Sequence, residues 1–559
     1  MRQANRRIRL LVAVFALVFA VALVRVTWLQ AVRASALDRL ATSQHRETFA
    51  VPAHRGTIYD RLGVQLALGE RATTVYANPR HIVDPRRAAI AAGEALGVDP
   101  EGLYPRLADR SRGFVYVARK ADPDKAEALE RREIAGFGFY AEERRAYPQK
   151  NVASEVVGYA GTDNRGLSGI ELQEDRVLAG QDGSKTIVRD PFGRTLQEIE
   201  SKPVRDGRDV YLTLDHTIQG QVERVLRHTR ATWGAKAATA VVLDARTGGI
   251  LALGVEPGFD GNRYAKVADR DRARLRNRAV TDTYEPGSTF KVVTIAGVLE
   301  SDVVTPHTRF TLPYSIQVAD RVIHDAVKRG TQSMSVAQIL SQSSNVGVVT
   351  LAIQLQSRRL SEWIHRFGFG RPTGVDYPGE TKGIVLPPED WSGSTIGNVP
   401  IGQGIAVTPL QMAAAYGALA NDGVWLQPHL VERVEGGPKT KPEKRRVISE
   451  AVAKQIRKML VGVVEEGSGE EAQIPGYRVA GKTGTAAKPE PTGGYSTSRY
   501  VASFVGFVPA SRPRFVVLVT VDEPKGAIWG GVVAAPAFAE IAQFAIQYLE
   551  VPPDAKSGT

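Results

Sequence analysis

The stretch EPGSTFKVVT, residues 285–294, contains a serine and a lysine about one helical turn apart. Pro286 and Gly287 end the preceding segment, so a helix is predicted to begin close to Ser288. Backbone amides are unpaired at a helix N-terminus, and the helix dipole favours negative charge there. Lys291 shares a helix face with Ser288. Because this spacing is common on helix surfaces, it gains meaning only from motifs elsewhere in the chain.

Two further motifs follow in sequence order, SSN at residues 343–345 and KTGT at residues 482–485. The patterns Ser-x-x-Lys, Ser-x-Asn and Lys-Thr-Gly each occur once in the chain. Any one of them alone is weak evidence. Together, and in this order, they are a specific indication of covalent catalysis by a serine.

The motifs divide the chemistry among a few side chains. A serine hydroxyl is a weak nucleophile that needs a neighbouring base. Lys291 could take the proton of Ser288 if burial and the charge of Lys482 make its neutral form accessible. Ser343 would relay a proton between the nucleophile and the leaving amine, and Asn345 would bond a substrate amide.

The KTGT segment is predicted to be an edge strand beside the cleft. Gly484 removes a side chain where the substrate backbone must approach. Lys482, Thr483 and Thr485 offer a charge and two hydroxyls to a substrate carboxylate. The backbone amides of Ser288 and Thr485 would form an oxyanion hole, and losing one such donor typically costs about 10²–10³ in rate.

Other polar and glycine-rich stretches are interpreted as plain structure. The segments GNVPIGQG (397–404) and EPTGGYSTS (490–498) are predicted to be loops, with a direct role in binding as the open alternative. His324 and Asp325 are likewise interpreted as loop residues rather than catalytic ones. The nine histidines show no metal-ligand spacing, so we expect neither a metal nor a cofactor.

Composition limits the class of protein. The length of 559 residues suggests two or three domains, and the 43% hydrophobic content suffices for sizeable cores. The absence of cysteine excludes disulfides, thiolate metal sites and a lipid-modified cysteine anchor. The net charge of +12 fits either an anionic partner or a merely solvated basic surface. No nucleic-acid-binding motif accompanies that charge.

The N-terminus is predicted to be a membrane anchor. Residues 8–29 are almost entirely apolar and provide roughly the 20 residues that a spanning helix needs. Arg25 can snorkel to the interface, and Trp28 suits the interfacial belt. Four arginines in the first nine residues predict a cytoplasmic N-terminus with the rest of the chain outside. The alternative is a cleaved signal peptide, because ASA at residues 34–36 is similar to a cleavage site.

The remaining chain is predicted to be mixed α/β, with an antiparallel sheet flanked by helices and built from both ends of the C-terminal domain. The secondary-structure pattern predicts the following segments: helix and polar character at 34–49, a turn between two strands at 189–197, a linker at 201–209, strands at 210–215, 237–255, 499–509 and 514–524, and helices at 217–233 and 535–550. The predicted boundaries are 1–33 for tail and anchor, 34–205 for a first domain, 206–550 for a second domain, and 551–559 for a disordered tail.

At these motifs the chain resembles the class B penicillin-binding proteins. The resemblance covers roughly residues 50–550 and includes RGTIYDRLGVQLA (55–67), GIELQEDRVLAG (169–180) and IGQGIAVTPLQMAAAYGALANDG (401–423). It implies an α+β non-catalytic pedestal of the dimerisation type, followed by a transpeptidase domain that is acylated by β-lactams. It also implies a peptidoglycan D,D-transpeptidase acting on stem peptides ending in D-Ala-D-Ala. Glu285 in YEPGS resembles the cell-division branch more than the elongation branch.

Three alternatives stay open. An elongation-specific transpeptidase would share every motif. A β-lactamase or penicillin sensor shares the three motifs but needs rapid deacylation or a cytoplasmic signalling module. A scaffold that regulates a membrane glycan polymerase needs no catalysis. The resemblance implies as partners the cytoplasmic membrane, a polytopic glycan polymerase and proteins of the division machinery.

Overall fold

The structure is a computed structural model that describes residues 2–31, 46–189 and 195–555. Its β-strands, in chain order, are β1 Arg46–Val51, β2 Ile58–Tyr59, β3 Gln65–Ala77, β4 Val115–Ala121, β5 Phe137–Ala146, β6 Gly183–Arg189, β7 Thr195–Lys202, β8 Val210–Leu212, β9 Ala237–Asp244, β10 Ile250–Glu256, β11 Arg309–Leu312, β12 Ser315–Val318, β13 Arg321–His324, β14 Gln332–Ser335, β15 Val424–Leu426, β16 Val431–Val434, β17 Lys444–Arg446, β18 Ala480–Pro489, β19 Tyr495–Val508 and β20 Phe515–Asp522.

Helices are interspersed among these strands along the whole chain. In chain order they are α1 Arg2–Ala31, α2 Pro85–Leu96, α3 Pro100–Ala108, α4 Pro123–Glu130, α5 Ser154–Val157, α6 Gly169–Gln173, α7 Asp175–Leu178, α8 His216–Thr232, α9 Arg278–Thr281, α10 Lys291–Glu300, α11 Val336–Ser341, α12 Asn345–Leu355, α13 Ser357–Phe367, α14 Thr395–Asn398, α15 Pro409–Ala420, α16 Glu450–Glu465, α17 Gly530–Val533 and α18 Ala535–Tyr548. The chain is therefore mixed α/β, as predicted.

The chain divides into two compact units. The first comprises Met1–His54 and Ala179–Gly207 and contains α1 with the three-stranded antiparallel sheet β1-β6-β7. In α1, Asn5–Ala31 is long and apolar enough to cross a membrane. The guanidinium of Arg25 lies 5.1 Å from the ring centroid of Trp28, a cation–π contact.

The second unit comprises Arg55–Leu178 and Arg208–Thr559 and contains two larger sheets. A five-stranded antiparallel sheet has the order β10-β9-β20-β19-β18. Its first two strands form a hairpin near the start of the C-terminal domain, and its last three come from near the end of the chain. The prediction of a sheet built from both ends is confirmed. The other sheet has the order β16-β8-β2-β3-β4, and β5 also pairs with β3.

Helices cover both faces of the five-stranded sheet. On one face, Val241 and Leu518 belong to the same core as α10 and α15. On the other face, Val242 and Val517 pack with α8 and α18. Successive strand residues alternate between the two cores because a strand has a side-chain period of two. Every residue of α15 is buried, so this helix forms the centre of the domain.

Local capping explains where the key helices begin. Asp215 precedes α8, and its carboxylate accepts hydrogen bonds from the amides of Thr217 and Ile218. Ser344 caps α12 by accepting from the amide of Gly347. Each cap satisfies amides that the first helical turn leaves unpaired. The α12 cap fixes the segment that contains Ser343.

Arg55, from the predicted pedestal motif, anchors a buried charge cluster. It is 4% exposed, its Nε donates to Glu171 Oε2 at 2.7 Å, and its Nη1 donates to Asp175 Oδ1 at 2.7 Å. Asp60, five residues on, accepts from the amides of Leu62 and Val64 at 2.8 Å. The motif therefore stabilises its own turn at residues 60–64 through Asp60 and connects to α6 and α7 through Arg55.

Two sequence predictions need correction. Residues 46–49 belong to β1, which pairs antiparallel with β6, rather than to a helix; residues 34–45 lie outside the described part. The tail predicted to be disordered from residue 551 is bound at its beginning. Asp554 accepts hydrogen bonds from the amides of Arg478 and Ser511, and Val551 accepts one from the hydroxyl of Tyr477. Those contacts order residues 551–555, and 556–559 lie outside the described residues.

Candidate active site

Ser288 lies on a short 3₁₀ turn, Gly287–Phe290, that leads directly into α10. Gly287 has φ +55°, and its amide donates to the carbonyl of Gly402 at 3.1 Å. A Cβ on Gly402 would lie 2.2 Å from the carbonyl oxygen of Gly287. Both glycines are therefore required for the close approach of two backbone segments behind the candidate nucleophile.

Lys291, the first residue of α10, is fully buried. Its Nζ donates to the Ser343 carbonyl at 2.6 Å, to Ser343 Oγ at 3.2 Å and to Asn345 Oδ1 at 2.7 Å. Burial lowers the pKa of Lys291 well below its ordinary value, and the charge of Lys482 lowers it further, against a weaker opposing effect of Asp325. The free energy needed to deprotonate Lys291 is therefore lower here than for an exposed lysine.

Ser343 stands between two lysines. Its Oγ lies 3.2 Å from Lys291 Nζ and 3.0 Å from Lys482 Nζ. Its backbone has φ +57°, a region that non-glycine residues rarely adopt. The strained loop thus aims one hydroxyl at both amines, a geometry suited to passing a proton.

Lys482 is fully buried on the edge strand β18. Burial lowers its pKa to about 7. Its Nζ also donates to the carbonyl of Thr483 at 3.2 Å. Because its charge is adjustable near neutral pH, Lys482 is placed both to attract a carboxylate and to depress the pKa of Lys291.

Two strand residues beside Lys482 are held by neighbouring segments. Thr483 Oγ1 lies 2.7 Å from Ser468 Oγ, and Thr485 Oγ1 accepts from the amide of Gly530 at 3.1 Å. A Cβ on Gly484 would lie 2.9 Å from the carbonyl oxygen of Pro286. Gly484 is therefore needed so that β18 can pack against the segment that carries Ser288.

Asp325 organises the Ser343 loop, a role that the sequence interpretation missed. Its carboxylate accepts from Ser344 Oγ at 3.0 Å and from the amide of Val346 at 3.0 Å, and Arg329 Nε donates to it at 2.9 Å. The carbonyl of the adjacent His324 accepts from Asn345 Nδ2 at 3.0 Å. Both residues are in or beside a loop, as expected, but they position the SSN motif through tertiary contacts.

A cleft with a volume of ≈ 560 Å³ brings the predicted residues together. Its lining includes Ser288, Ser343, Asn345, Thr483 and Thr485. Buried Lys291 and Lys482 lie beneath this lining and reach it through Ser343.

Several lining residues were not singled out from the sequence, among them Gln403 and Trp529. Gln403 comes from the segment 397–404, so that segment contributes to the cleft wall. Trp529 lines the cleft and is 52% exposed, which is unusual for so large an apolar side chain. The neighbouring glycines were the only feature of the sequence that could have drawn attention to Gln403 and Trp529.

One acidic cluster elsewhere resembles a metal site in composition. Asp60, Asp215 and His216 each place a ligand atom within 4.8 Å of the others. Asp60 Oδ2 already lies 2.6 Å from His216 Nδ1, and Asp215 caps α8 while its other oxygen lies 3.7 Å from Arg61. These hydrogen bonds and the ion pair explain in structural terms why the three side chains lie close together.

Comparison with known proteins agrees with this geometry. Residues 238–543 match the penicillin binding protein transpeptidase domain family, and residues 50–212 match the penicillin-binding protein dimerisation domain family. The chain belongs to the class B penicillin-binding proteins, the family of serine-type peptidoglycan D,D-transpeptidases.

Similar proteins extend over nearly the whole chain. The probable peptidoglycan D,D-transpeptidase PenA of Neisseria gonorrhoeae is 34% identical over 98% of this chain and 94% of its own. Peptidoglycan D,D-transpeptidase FtsI of Escherichia coli K12 is 31% identical over 98% and 93%. The crystal structure of penicillin binding protein 3 from Mycobacterium tuberculosis complexed with ampicillin is 31% identical, with a TM-score of 0.72 over 91% of this chain and 98% of that one.

Proposed function

We propose that this chain cross-links peptidoglycan stem peptides through an acyl-enzyme on Ser288. The observation that carries this proposal is the position of Ser343 Oγ, 3.2 Å from Lys291 Nζ and 3.0 Å from Lys482 Nζ, in the cleft that Ser288 also lines. Such an arrangement supplies a nucleophile, a base and a proton path in one cavity.

In the first step, the neutral amine of Lys291 accepts the proton of Ser288 Oγ. The oxygen attacks the carbonyl carbon of the penultimate D-Ala, and the amides of Ser288 and Thr485 stabilise the oxyanion. Ser343 passes a proton to the nitrogen of the terminal D-Ala, which then leaves as the C–N bond breaks. The charge of Lys482 and the hydroxyls of Thr483 and Thr485 hold the terminal carboxylate. Asn345 bonds the substrate amide.

In the second step, the amine of a neighbouring stem peptide attacks the Ser288 ester. Its proton passes through Ser343 to the lysines, and Ser288 Oγ regains a proton as the new amide forms. A β-lactam follows the first step but keeps its leaving group attached by its ring, so the ester persists. This accounts for inhibition by β-lactams.

The test is covalent labelling of the purified full chain by a fluorescent penicillin. Ser288→Ala should abolish labelling and leave the melting temperature within a few degrees of wild type. Ser301→Ala, an alteration at the end of α10 outside the cleft, is the matched control and should label normally. Wild-type labelling of Ser288→Ala would refute the assignment.

The cellular setting follows from α1 and from the YEPGS motif. We infer that residues 1–33 are a tail and uncleaved anchor with the N-terminus in the cytoplasm, that 34–205 form the pedestal, and that 206–550 form the extracytoplasmic catalytic domain. The arginines before the apolar segment support that orientation. The septum is the proposed place of action, supported by Glu285. A fluorescent fusion spread over the side wall of dividing cells would contradict it.

The pedestal is proposed to couple cross-linking to a polytopic glycan polymerase and other division proteins. Its length, about that of a whole domain, exceeds what a simple spacer needs. The test is co-reconstitution with the cognate polymerase, using exposed substitutions in residues 50–200 that leave penicillin labelling normal. Unchanged polymerase activity and binding in every variant would show that the pedestal is only a spacer.

A further inference from the structure

Three arginine side chains lie together at the C-terminal end of α13. Arg366 is in the last turn of this helix, Arg371 is in the loop that follows it, and Arg445 is on β17. Arg445 Nη1 donates a hydrogen bond to the carbonyl of Arg366. A Cβ on Gly368, the residue after α13, would lie 3.1 Å from Arg445 Nη2. We call the three side chains the arginine cluster.

Two of the three guanidiniums are held against tryptophan rings. Arg366 lies 4.4 Å from the ring centroid of Trp363, and Arg445 lies 4.5 Å from that of Trp425, its cross-strand partner on β15. Both rings are buried. A cation–π contact of this kind fixes the position of a guanidinium but leaves its charge available to another group.

The positive charge of the arginine cluster is not neutralised by any carboxylate whose side chain the structure describes, because none of the three guanidiniums makes an ion pair with one. Burial and the charges of Arg371 and Arg366 lower the pKa of Arg445 to about 10, against a weaker opposing effect of Glu443. Arginine still stays protonated at neutral pH. Three like charges therefore repel one another at this place.

The negative end of the α13 dipole offsets only part of this charge. A helix C-terminus carries the equivalent of about half a negative charge and favours a nearby cation. The acidic residues of the following loop are engaged elsewhere: Glu380 accepts from the amides of Thr373 and Gly374, and Asp376 accepts from the amide of Leu430 at 2.6 Å. The arginine cluster therefore keeps an excess of positive charge.

An anion can reach the arginine cluster through its two outer members. Arg366 and Arg371 are exposed, and their guanidiniums make no hydrogen bond with any residue that the structure describes. Arg445 is half-buried and its Nη2 is enclosed, so it contributes charge rather than the outer contacts. A phosphate monoester offers three acceptor oxygens, enough for two guanidinium forks, whereas the two oxygens of a carboxylate fit one fork.

We propose that the arginine cluster binds a phosphate group, with Arg366 and Arg371 donating to its oxygens. The described lining of the catalytic cleft contains none of the three arginines, so this site is independent of the proposed transpeptidation. The phosphate can come from two sources, the headgroup of a phospholipid or soluble inorganic phosphate.

The first experiment titrates inorganic phosphate into the full chain in a neutral detergent, at constant ionic strength, and follows binding by calorimetry. Arg371→Gln should weaken binding about tenfold, the loss of one charge-assisted contact. Arg358→Gln, at an exposed arginine near the start of α13, removes the same charge outside the cluster and should bind as wild type. Equal affinities in Arg371→Gln and Arg358→Gln, or acetate that binds as tightly as phosphate, would overturn the assignment.

The second experiment identifies the source by titrating dihexanoyl phosphatidic acid, with dihexanoyl phosphatidylcholine as the zwitterionic control. Phosphatidic acid that binds about tenfold more tightly than inorganic phosphate, with the difference lost in Arg371→Gln, identifies a phospholipid headgroup. Equal or tighter binding of inorganic phosphate identifies the soluble ion. Phosphatidylcholine that binds as tightly as phosphatidic acid, or binding of neither phosphate probe, would refute the site.

Folding and penicillin labelling are the controls for the Arg371 variants. Arg371→Gln should label at the wild-type rate and melt within a few degrees of wild type, because its side chain is exposed and outside the cleft. If it melts far below wild type, Arg371→Lys replaces it. That variant keeps the charge but loses the planar fork, so it should bind phosphate more weakly than wild type. Unchanged affinity in Arg371→Lys would then contradict the guanidinium contact.

Discussion

The two active-site lysines differ in what their charge must do. Lys291 must give up and regain a proton, whereas Lys482 acts mainly as a charge near the substrate carboxylate. A guanidinium does not release its proton in proteins. Lys482→Arg should therefore retain more acylation by penicillin than Lys291→Arg, which should lose about 10²–10⁴ in rate. The measurement is the second-order rate of fluorescent labelling, and the opposite order of rates would contradict these roles.

Size changes at buried lysines need a control. Lys291→Gln and Lys482→Gln remove the charge from each position without adding the bulk of a guanidinium. If the arginine variants melt far below wild type, the glutamine pair replaces them. Lys291→Gln should still be the slower of the two, because only Lys291 accepts the serine proton.

The depressed pKa of Lys482 also predicts a pH dependence of stability. Its pKa is about 7 in the folded protein and 10.5 ordinarily, so between these values the unfolded chain binds more protons. The contribution of Lys482 to the free energy of unfolding therefore rises with pH between these two pKa values. Below the lower value, the folded protein bears the full cost of burying a charged amine. The melting temperature of Lys482→Met minus that of wild type should fall as the pH rises from about 7 towards 10.5. A constant or growing difference would show that Lys482 stays charged when folded.

At the residue scale, sequence spacing located the site but not its contacts. The motifs predicted Ser288, Lys291, Ser343 and Lys482 together, and all of them meet at one cleft. The hydrogen bonds of Lys291 with the 343–345 loop depend on the positive φ of Ser343, which no local pattern signals. Asp325 was missed because its role arises from a tertiary contact made by a residue that resembles any other loop aspartate.

Arg55 forms ion pairs with Glu171 on α6 and with Asp175 on α7. It is nearly inaccessible and bonded to two carboxylates. Its removal breaks the ion pair of Asp175 and takes one of two cations from buried Glu171, which keeps Arg145. Arg55→Ala should destabilise this unit by about 3 kcal/mol, the low end for a broken buried pair.

Arg131→Ala, which removes an exposed pair with Glu127 on α4, should cost no more than about 1 kcal/mol. Thermal unfolding of both variants gives the comparison, and equal shifts would contradict the buried-pair account.

Helices and strands with a clear hydrophobic period in the sequence were predicted well. The hairpin β9–β10, the long strands β19 and β20, and the helix α18 agree with their predicted ranges within a few residues. The strands β6 and β7 pair antiparallel on either side of the predicted turn, whose residues 190–194 lie outside the described range. The prediction failed at β1, where residues expected to be helical form a strand that pairs with β6, a partner about 130 residues away in the chain.

For the whole molecule, the anchor predicts that the mature protein keeps its N-terminal helix. The apolar segment exceeds the usual length of a signal-peptide core, about 7–15 residues. Mass spectrometry of membrane-extracted protein should find peptides from before residue 34. A mature terminus near residue 37 would support cleavage after the small residues at 34–36.

The five-stranded sheet also sets a condition on biosynthesis. β9 pairs along its whole length with β20, so that Ala237 lies opposite Asp522. During translation β9 and its hairpin partner β10 emerge from the ribosome long before β20, so the edge of β9 that pairs with β20 stays open in the meantime. The catalytic domain must therefore remain unfolded, or be held by a chaperone, until nearly the entire polypeptide has been made. A nonsense codon anywhere before Phe515 should give a chain cleared by proteases rather than a smaller enzyme.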